Sequence, residues 1–261
     1  MFKTGNRKEP PKIGLALSGG AARGFAHIGV IKTLQQHEVP IHCVAGTSAG
    51  AVVGALYCGG YDWRRMLEVA EHLRWRELIS LNFSGLGVVS AEKLENLVRE
   101  LLGDIDFSEL HVPFRAIAVD IARGEEVHFS TGSVAEAVRA STSVPGIFQP
   151  LVEGETALVD GGVMNNLPTE VVRDMGAEKV IAVDLNAHRP QNEMPVSLLD
   201  VSFRSFAMLL DCTSAEGRED ADLLIQPDLT DFNYHDLSRA HELVARGEEA
   251  AAAQLAAIRA L

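Results

Sequence analysis

Two stretches decide the fold: Lys12–Gly24, KIGLALSGGAARG, and Ile41–Gly50, IHCVAGTSAG. Each opens as an apolar run of buried-strand length and breaks off at glycines. After the first, Gly24 to Glu38 carries helical spacing through Phe25, Ile28, Ile31 and Leu34. After the second, Ser48 to Cys58 is a run of alanines, valines and leucines that reads as a buried helix. Two successive strand–turn–helix units imply parallel strands, with helices returning across the faces of a sheet.

The alternation continues outward from this pair. Tyr61 to Gly103 is helical at both ends, with Asp62 a candidate N-cap and Ser90 opening the second helix. Between them, 79–89 (ISLNFSGLGVV) is apolar yet rich in glycine, serine and asparagine. It reads as a flap over a site or as a packed connection, and the packed connection is preferred. Phe114–Asp120 and Glu125–Ser130 read as strands joined at Arg123-Gly124, Ser133–Ala140 as a short helix, and Thr142–Pro150 as a proline-punctuated loop. Ala157–Asp160 is a strand ending on Gly161-Gly162, Leu167–Met175 a helix and Lys179–Leu185 a strand. A helix near Leu198–Leu210, a strand at Asp222–Gln226 and a final helix follow. That last helix carries Leu237, Ala240, Val244, Ala251, Leu255 and Ile258 on one stripe. The expected fold class is α/β: three layers, α/β/α, with a mainly parallel central sheet. No repeat or domain boundary is evident. Residues 1–11 are expected to be a flexible tail, and 12–261 one domain.

Composition narrows the function classes. A formal net charge of −13 disfavours nucleic acid, whose phosphates need a basic surface, and disfavours standing attachment to anionic membranes. Cys43, Cys58 and Cys212 form no C-x-x-C pair and read as reduced, buried thiols. The nine histidines show no H-E-x-x-H and no Cys/His cluster, so neither a metal nor a cofactor is expected. MFKTGNRKEPPK at the start lacks the apolar segment of a signal peptide, and no apolar run reaches membrane-spanning length. The expectation is a cytoplasmic protein of unknown oligomeric state whose contact with a membrane surface is transient.

The strongest chemical signal is Gly46-Thr47-Ser48-Ala49-Gly50, a G-x-S-x-G between strand and helix. A serine on so sharp a turn is forced into strained backbone geometry that lifts its hydroxyl above the sheet. The flanking glycines are needed because a Cβ there would strike the neighbouring strand and helix. One strand earlier, Ser18-Gly19-Gly20-Ala21-Ala22-Arg23-Gly24 offers backbone N–H groups at a helix start, either a dinucleotide cradle or an oxyanion hole. The dinucleotide reading fails. The spacing is G-x-A-x-x-G, and the next strand ends in the serine turn where a ribose-binding acid belongs. No G-K-[ST] follows either loop.

A serine hydroxyl needs a neighbour to accept its proton. Asp120, Asp160 and Asp184 each close an apolar strand in a Val-Asp pair and are expected along the carboxyl edge of the sheet. Asp160 is singled out by Gly161 and Gly162, which admit a close neighbour; for Asp120 and Asp184 a cap or turn role is preferred. Ser48, Asp160 and His188 also have the chain order of a Ser…Asp…His triad, but only one strand precedes that of Ser48, too few for the fold that carries it. His27 and His128 read as packing or solvent-facing residues.

Together these motifs resemble the patatin-like phospholipases, closest to their compact bacterial members. The resemblance rests on SGGAARG at Ser18–Gly24, GTSAG around Ser48, RASTSVPGIFQP at Arg139–Pro150 and VDGGVMNNLP at Val159–Pro168. It implies a Ser48–Asp160 dyad in place of a triad, and an oxyanion loop at Gly19, Gly20 and Ala21 completed by Arg23 and Gly24. Ala21 stands where the family often has glycine, which keeps the N–H but narrows the space. Asn165, Asn166 and Pro168 match the segment after the aspartate. The implied activity is hydrolysis of lipid or small acyl esters through an acyl-enzyme. The competing reading is a weak or inactive interaction protein on the same fold. Tyr61, Trp63, Trp75, Phe83 and Leu86 are candidates for an acyl pocket, with plain core as the default reading.

Overall fold

The computed structural model describes residues 10–74, 78, 80–81, 89–187, 194 and 198–261. The expected tail lies almost wholly outside them, as do most of 79–89 and the side chains of Trp75, Phe83, Leu86 and His188. In chain order the strands are β1 (Ile13–Leu17), β2 (Cys43–Thr47), β3 (Ser80–Leu81), β4 (Val89–Ser90), β5 (Phe114–Asp120), β6 (Glu125–Phe129), β7 (Leu151–Glu153), β8 (Thr156–Asp160), β9 (Lys179–Val183) and β10 (Leu223–Ile225). The helices used below are α1 (Phe25–Gln36), α2 (Ala49–Cys58), α3 (Trp63–His72), α4 (Glu92–Leu102), α5 (Val134–Ser141), α6 (Thr169–Asp174), α7 (Leu198–Thr213), α8 (Ala215–Asp220) and α9 (Ala240–Ala253).

β10, β9, β1, β2 and β5 lie side by side and all parallel. The strands are mostly apolar and buried on both faces, so alternate residues feed two cores. Leu15, Leu17, Val44, Ala116, Ile181 and Val183 face one, with α1, α2 and α9; Ala16, Ala45, Ile117, Val180 and Ala182 face the other, with Val171 and Val172 of α6. This is the three-layer α/β arrangement that the strand–helix alternation predicts. Asp62 caps α3, its carboxylate accepting from the Arg65 amide at 2.9 Å, as its position suggests.

Three expectations change. β8 runs antiparallel to β5, so Asp160 reaches the site from the direction opposite to the parallel strand ends. β7, unforeseen, pairs with β8 as a hairpin, since the whole link is the Gly154 turn. Cys212 is exposed on the outer side of α7, whereas Cys43 and Cys58 are buried as expected. Among the described residues no helix is long and apolar enough to cross a membrane.

The register of β5 decides where the site forms. Ile117 pairs with Thr47 of β2, and the next residue, Ala118, pairs with Asp160 of β8. The same two residues pair on their other edge with His128 and Val127 of β6. A strand residue has only two edges, so β2 and β8 must share one edge of β5 end to end. They meet head-on, one ending at Thr47 and the other at Asp160.

Candidate active site

Ser48 follows β2 at φ 53° and ψ −120°, left-handed backbone that an L-residue adopts only when its surroundings enforce it. Several groups do so. The Ser48 N–H donates to Ser141 Oγ at 2.9 Å, and its carbonyl accepts the Ala51 and Val52 amides. The Thr47 hydroxyl donates to the Asn165 carbonyl at 2.9 Å. Gly46 and Gly50 are required by space: a Cβ on Gly46 would lie 2.4 Å from the Gly50 carbonyl, and one on Gly50 would lie 2.2 Å from that of Leu17. The glycines let α2 start directly on the sheet.

Asp160 is fully buried. Its amide donates to the Ser143 carbonyl at 2.9 Å, and Oδ1 accepts the Gly162 amide at 2.8 Å. Burial pushes its carboxyl up to about 7, against the opposing pull of the Ser48 hydroxyl and the Gly162 amide. Oδ2 nevertheless has no partner at full hydrogen-bond geometry among the described residues. The Ser48 hydroxyl is thus close enough to act on the carboxyl without being squarely bonded to it, as is common for such pairs before substrate aligns them. The segment RASTS joins the two: Ser141 holds the Ser48 amide and the Ser143 carbonyl holds that of Asp160. The sequence marked this stretch only through the family resemblance, and nothing in it told which amides Ser141 and Ser143 would hold.

The glycine loop follows β1, next to β2 in the sheet. Gly19 lies against Ser48, whose Cβ would stand 3.0 Å from a Cβ added there, but its N–H is taken by Asn166 Oδ1 at 2.9 Å. Asn166 in turn donates to Ser214 Oγ at 2.8 Å. The amides of Gly20 and Ala21 have no acceptor among the described residues, and Ala21 sits at φ 48°. The loop therefore offers two idle donors where three were expected. Arg23 lies elsewhere: fully buried, it donates to the carbonyls of Leu185, Leu229 and Phe232 and to the Tyr234 hydroxyl. Gly24 admits α2, since a Cβ on it would be 2.6 Å from that of Ala49.

The other carboxylates have structural partners. Asp120 accepts from the Ala122 and Ala157 amides and pairs with Arg123 at 2.6 Å. Asp184 accepts the Asn186 amide and pairs with Arg218 at 2.7 Å. His27 is buried with Nε2 on the Ser18 carbonyl, and burial pushes it down to about 4, so it is neutral. His128 pairs with Glu126 on the surface. Beside Ser48 lies a cavity of about 140 Å³, walled by Ala49, Val52 and Leu56 of α2, Met66 of α3 and Leu73 just after it, Leu94 and Leu97 of α4, and Phe25. Apart from Ser48 and Thr142 its lining is apolar. Tyr61 instead sits in the core and Trp63 between Lys32 and Arg64. The cavity was missed because its walls are the ordinary apolar stripes of α3 and α4, which read as core.

A strained serine and a buried carboxyl at the meeting of two strand ends, on an α/β sheet, define the class of protein in which ligands bind at the crest of the sheet. Residues 15–173 match the family model for patatin-like phospholipase. The chain is 34% identical over 79% of its length to the uncharacterized NTE family protein Rv1063c of Mycobacterium tuberculosis, covering 60% of that protein. It is 32% identical over 67% of its length to neuropathy target esterase sws of Drosophila melanogaster and 31% identical, again over 67%, to lysophospholipase nte1 of Emericella nidulans. It spans only 13% and 12% of those two. The solved structure of VipD from Legionella pneumophila shares the fold, with a TM-score of 0.61 at 16% identity over 96% of this chain and 67% of that one. The chain belongs to the patatin-like phospholipase family.

Proposed function

We propose that the protein is a lipid acyl-ester hydrolase, with Ser48 as nucleophile and Asp160 as the base that activates it. The observation that carries this is the head-on meeting of β2 and β8, which sets a strained serine against a buried carboxyl at the edge of an apolar cavity. Asp160 takes the Ser48 proton as Oγ attacks the ester carbonyl, and the Gly20 and Ala21 amides receive the oxyanion. The tetrahedral adduct collapses, the C–O bond breaks, and Asp160 returns the proton to the leaving alcohol. Water then adds to the acyl-enzyme with Asp160 again as base, releasing the fatty acid and restoring Ser48. A carboxyl poised at about 7 suits both directions of that proton transfer. Each oxyanion donor is worth on the order of 10²–10³ in rate. The apolar cavity and the relatives named as lysophospholipase and esterase both support a lipid acyl chain as its occupant. In this reading a cytoplasmic enzyme meets lipid at a membrane surface by transient contact.

The test is labelling with a fluorophosphonate probe, followed by hydrolysis of a lipid panel. Wild type labels and turns over ester; Ser48→Ala does neither. Asp160→Asn loses turnover while keeping its fold. Loss of turnover in His188→Ala as well as in Asp160→Asn replaces the dyad by a triad, and retained turnover in Asp160→Asn removes Asp160 as the base.

A further inference from the structure

The cavity beside Ser48 ends on a wall that a second hollow shares. Val69 and Leu73 at the end of α3, with Leu97 and Leu101 of α4, line both spaces. The outer hollow is otherwise bordered by Tyr61 and by the exposed Arg65, Glu68 and His72. The four shared side chains are only half-buried, as expected of a partition one residue thick. On the inner side the cavity runs along α2 from Ser48 to Leu56. Eight residues at roughly 1.5 Å each give a depth of about 12 Å. An extended acyl chain advances roughly 1.3 Å per carbon, so about nine or ten carbons reach the wall.

We infer that Val69, Leu73, Leu97 and Leu101 set the acyl-chain length that this site accepts, and that opening them connects the cavity to the outer hollow. The inference rests on the acyl-hydrolase reading of Ser48. Inside the cavity each carbon meets apolar wall, worth roughly fourfold in kcat/KM per methylene buried. Beyond the wall a longer chain must bend back or displace leucine, and the gain stops. Truncating Leu97 or Leu101 to alanine removes three carbons from the partition and opens a path toward the half-polar hollow outside.

The experiment measures kcat/KM for p-nitrophenyl esters from acetate to palmitate, presented in detergent mixed micelles at fixed surface fraction. Wild type, Leu97→Ala, Leu101→Ala, Val69→Ala and the volume-conserving Leu97→Met are compared. The readout is the chain length at which the rise breaks, a ratio within each enzyme that cancels any overall loss of activity. Wild type breaks near ten carbons; the alanine variants move the break by two or more carbons, and Leu97→Met leaves it in place. Three alanine variants guard against one failing to fold, and fluorophosphonate labelling counts competent sites in each. A wild-type profile without a break, or an unmoved break in labelled alanine variants, overturns the inference while leaving the hydrolase reading standing. No turnover of any ester by wild type removes the reading on which both depend.

Discussion

Replacing Asp160 with asparagine tests the electrostatics of the site without any substrate. The carboxyl is fully buried, and burial lifts it from the usual 3.8 to about 7. Below about pH 4 the folded and unfolded states both hold it protonated, so burial of the charge costs nothing. Between pH 4 and 7 the folded state holds the proton that the unfolded state has released, so stability falls as pH rises. Above 7 the folded state is ionised as well and the full penalty applies. Three pH units at 1.36 kcal/mol each set that penalty at about 4 kcal/mol. Asparagine never ionises and keeps an oxygen for the Gly162 amide. Asp160→Asn should therefore match wild type near pH 4 and exceed it by about 4 kcal/mol at pH 8, on the order of 10 °C in Tm. The assay is thermal and urea unfolding of both proteins from pH 4 to 9, taking their difference so that every other titrating group cancels. Ser48→Ala adds a second arm: removing the hydroxyl that pulls the carboxyl down should shift the midpoint of wild-type pH dependence upward. A wild-type-to-Asp160→Asn difference that stays constant with pH would refute the reasoning, because an unperturbed carboxylate has no such window.

Three further outcomes follow from the geometry. On the proposed mechanism, in which ionised Asp160 accepts the Ser48 proton, kcat/KM for ester hydrolysis should climb about tenfold per pH unit below 7 and level off above it; steady-state rates on a soluble ester across pH 5–9 give the midpoint. Ser141→Ala strips the acceptor from the buried Ser48 amide, which should destabilise by about 1–3 kcal/mol and lower turnover per labelled site, with Ser141→Thr restoring both. Arg23→Met leaves three carbonyls and a hydroxyl without their buried donor, at about 3–5 kcal/mol by urea unfolding. Its folded fraction, counted by fluorophosphonate labelling, should retain turnover within a few-fold, because Arg23 donates to Leu185, Leu229, Phe232 and Tyr234, which, like Arg23 itself, do not line the cavity beside the serine. A loss of turnover per labelled site of a hundredfold would return the arginine to the oxyanion machinery.

What the sequence disclosed and what it withheld divide along physical lines. Local rules were legible. The GTSAG turn demands glycines wherever a Cβ would strike backbone, and Gly46 and Gly50 stand where that happens. Apolar runs closing on glycine fixed β1 and β2, and Gly161-Gly162 marked Asp160 out from Asp120 and Asp184, which cap and pair as turn and ion-pair carboxylates do. Long-range partnership was not legible. Nothing in a run such as TALVD states which edge of which strand it joins or in which direction, so the antiparallel β8 and its end-to-end meeting with β2 escaped the periodicity. For the same reason the amide of Gly19 read as a free donor, although Asn166, 147 residues away, occupies it.

That one hydrogen bond changes the chemistry assigned to the loop. With Gly19 bonded to Asn166, and Asn166 bonded to Ser214, the loop is anchored at its first glycine and left open at Gly20 and Ala21. An oxyanion hole needs donors fixed in place before charge develops, since reorienting them during the reaction would consume the stabilisation they give. The amide that was lost as a donor is the one that holds the next two still. In the proposed mechanism Ala21 at φ 48° then has a reason to tolerate its strain, since its N–H is one of the two that would receive the oxyanion. The site combines a buried carboxyl kept off its preferred charge state, a serine and an alanine held at positive φ, and two amides without acceptors among the described residues. Each disfavours folding, and all of them cluster where β1, β2 and β8 end.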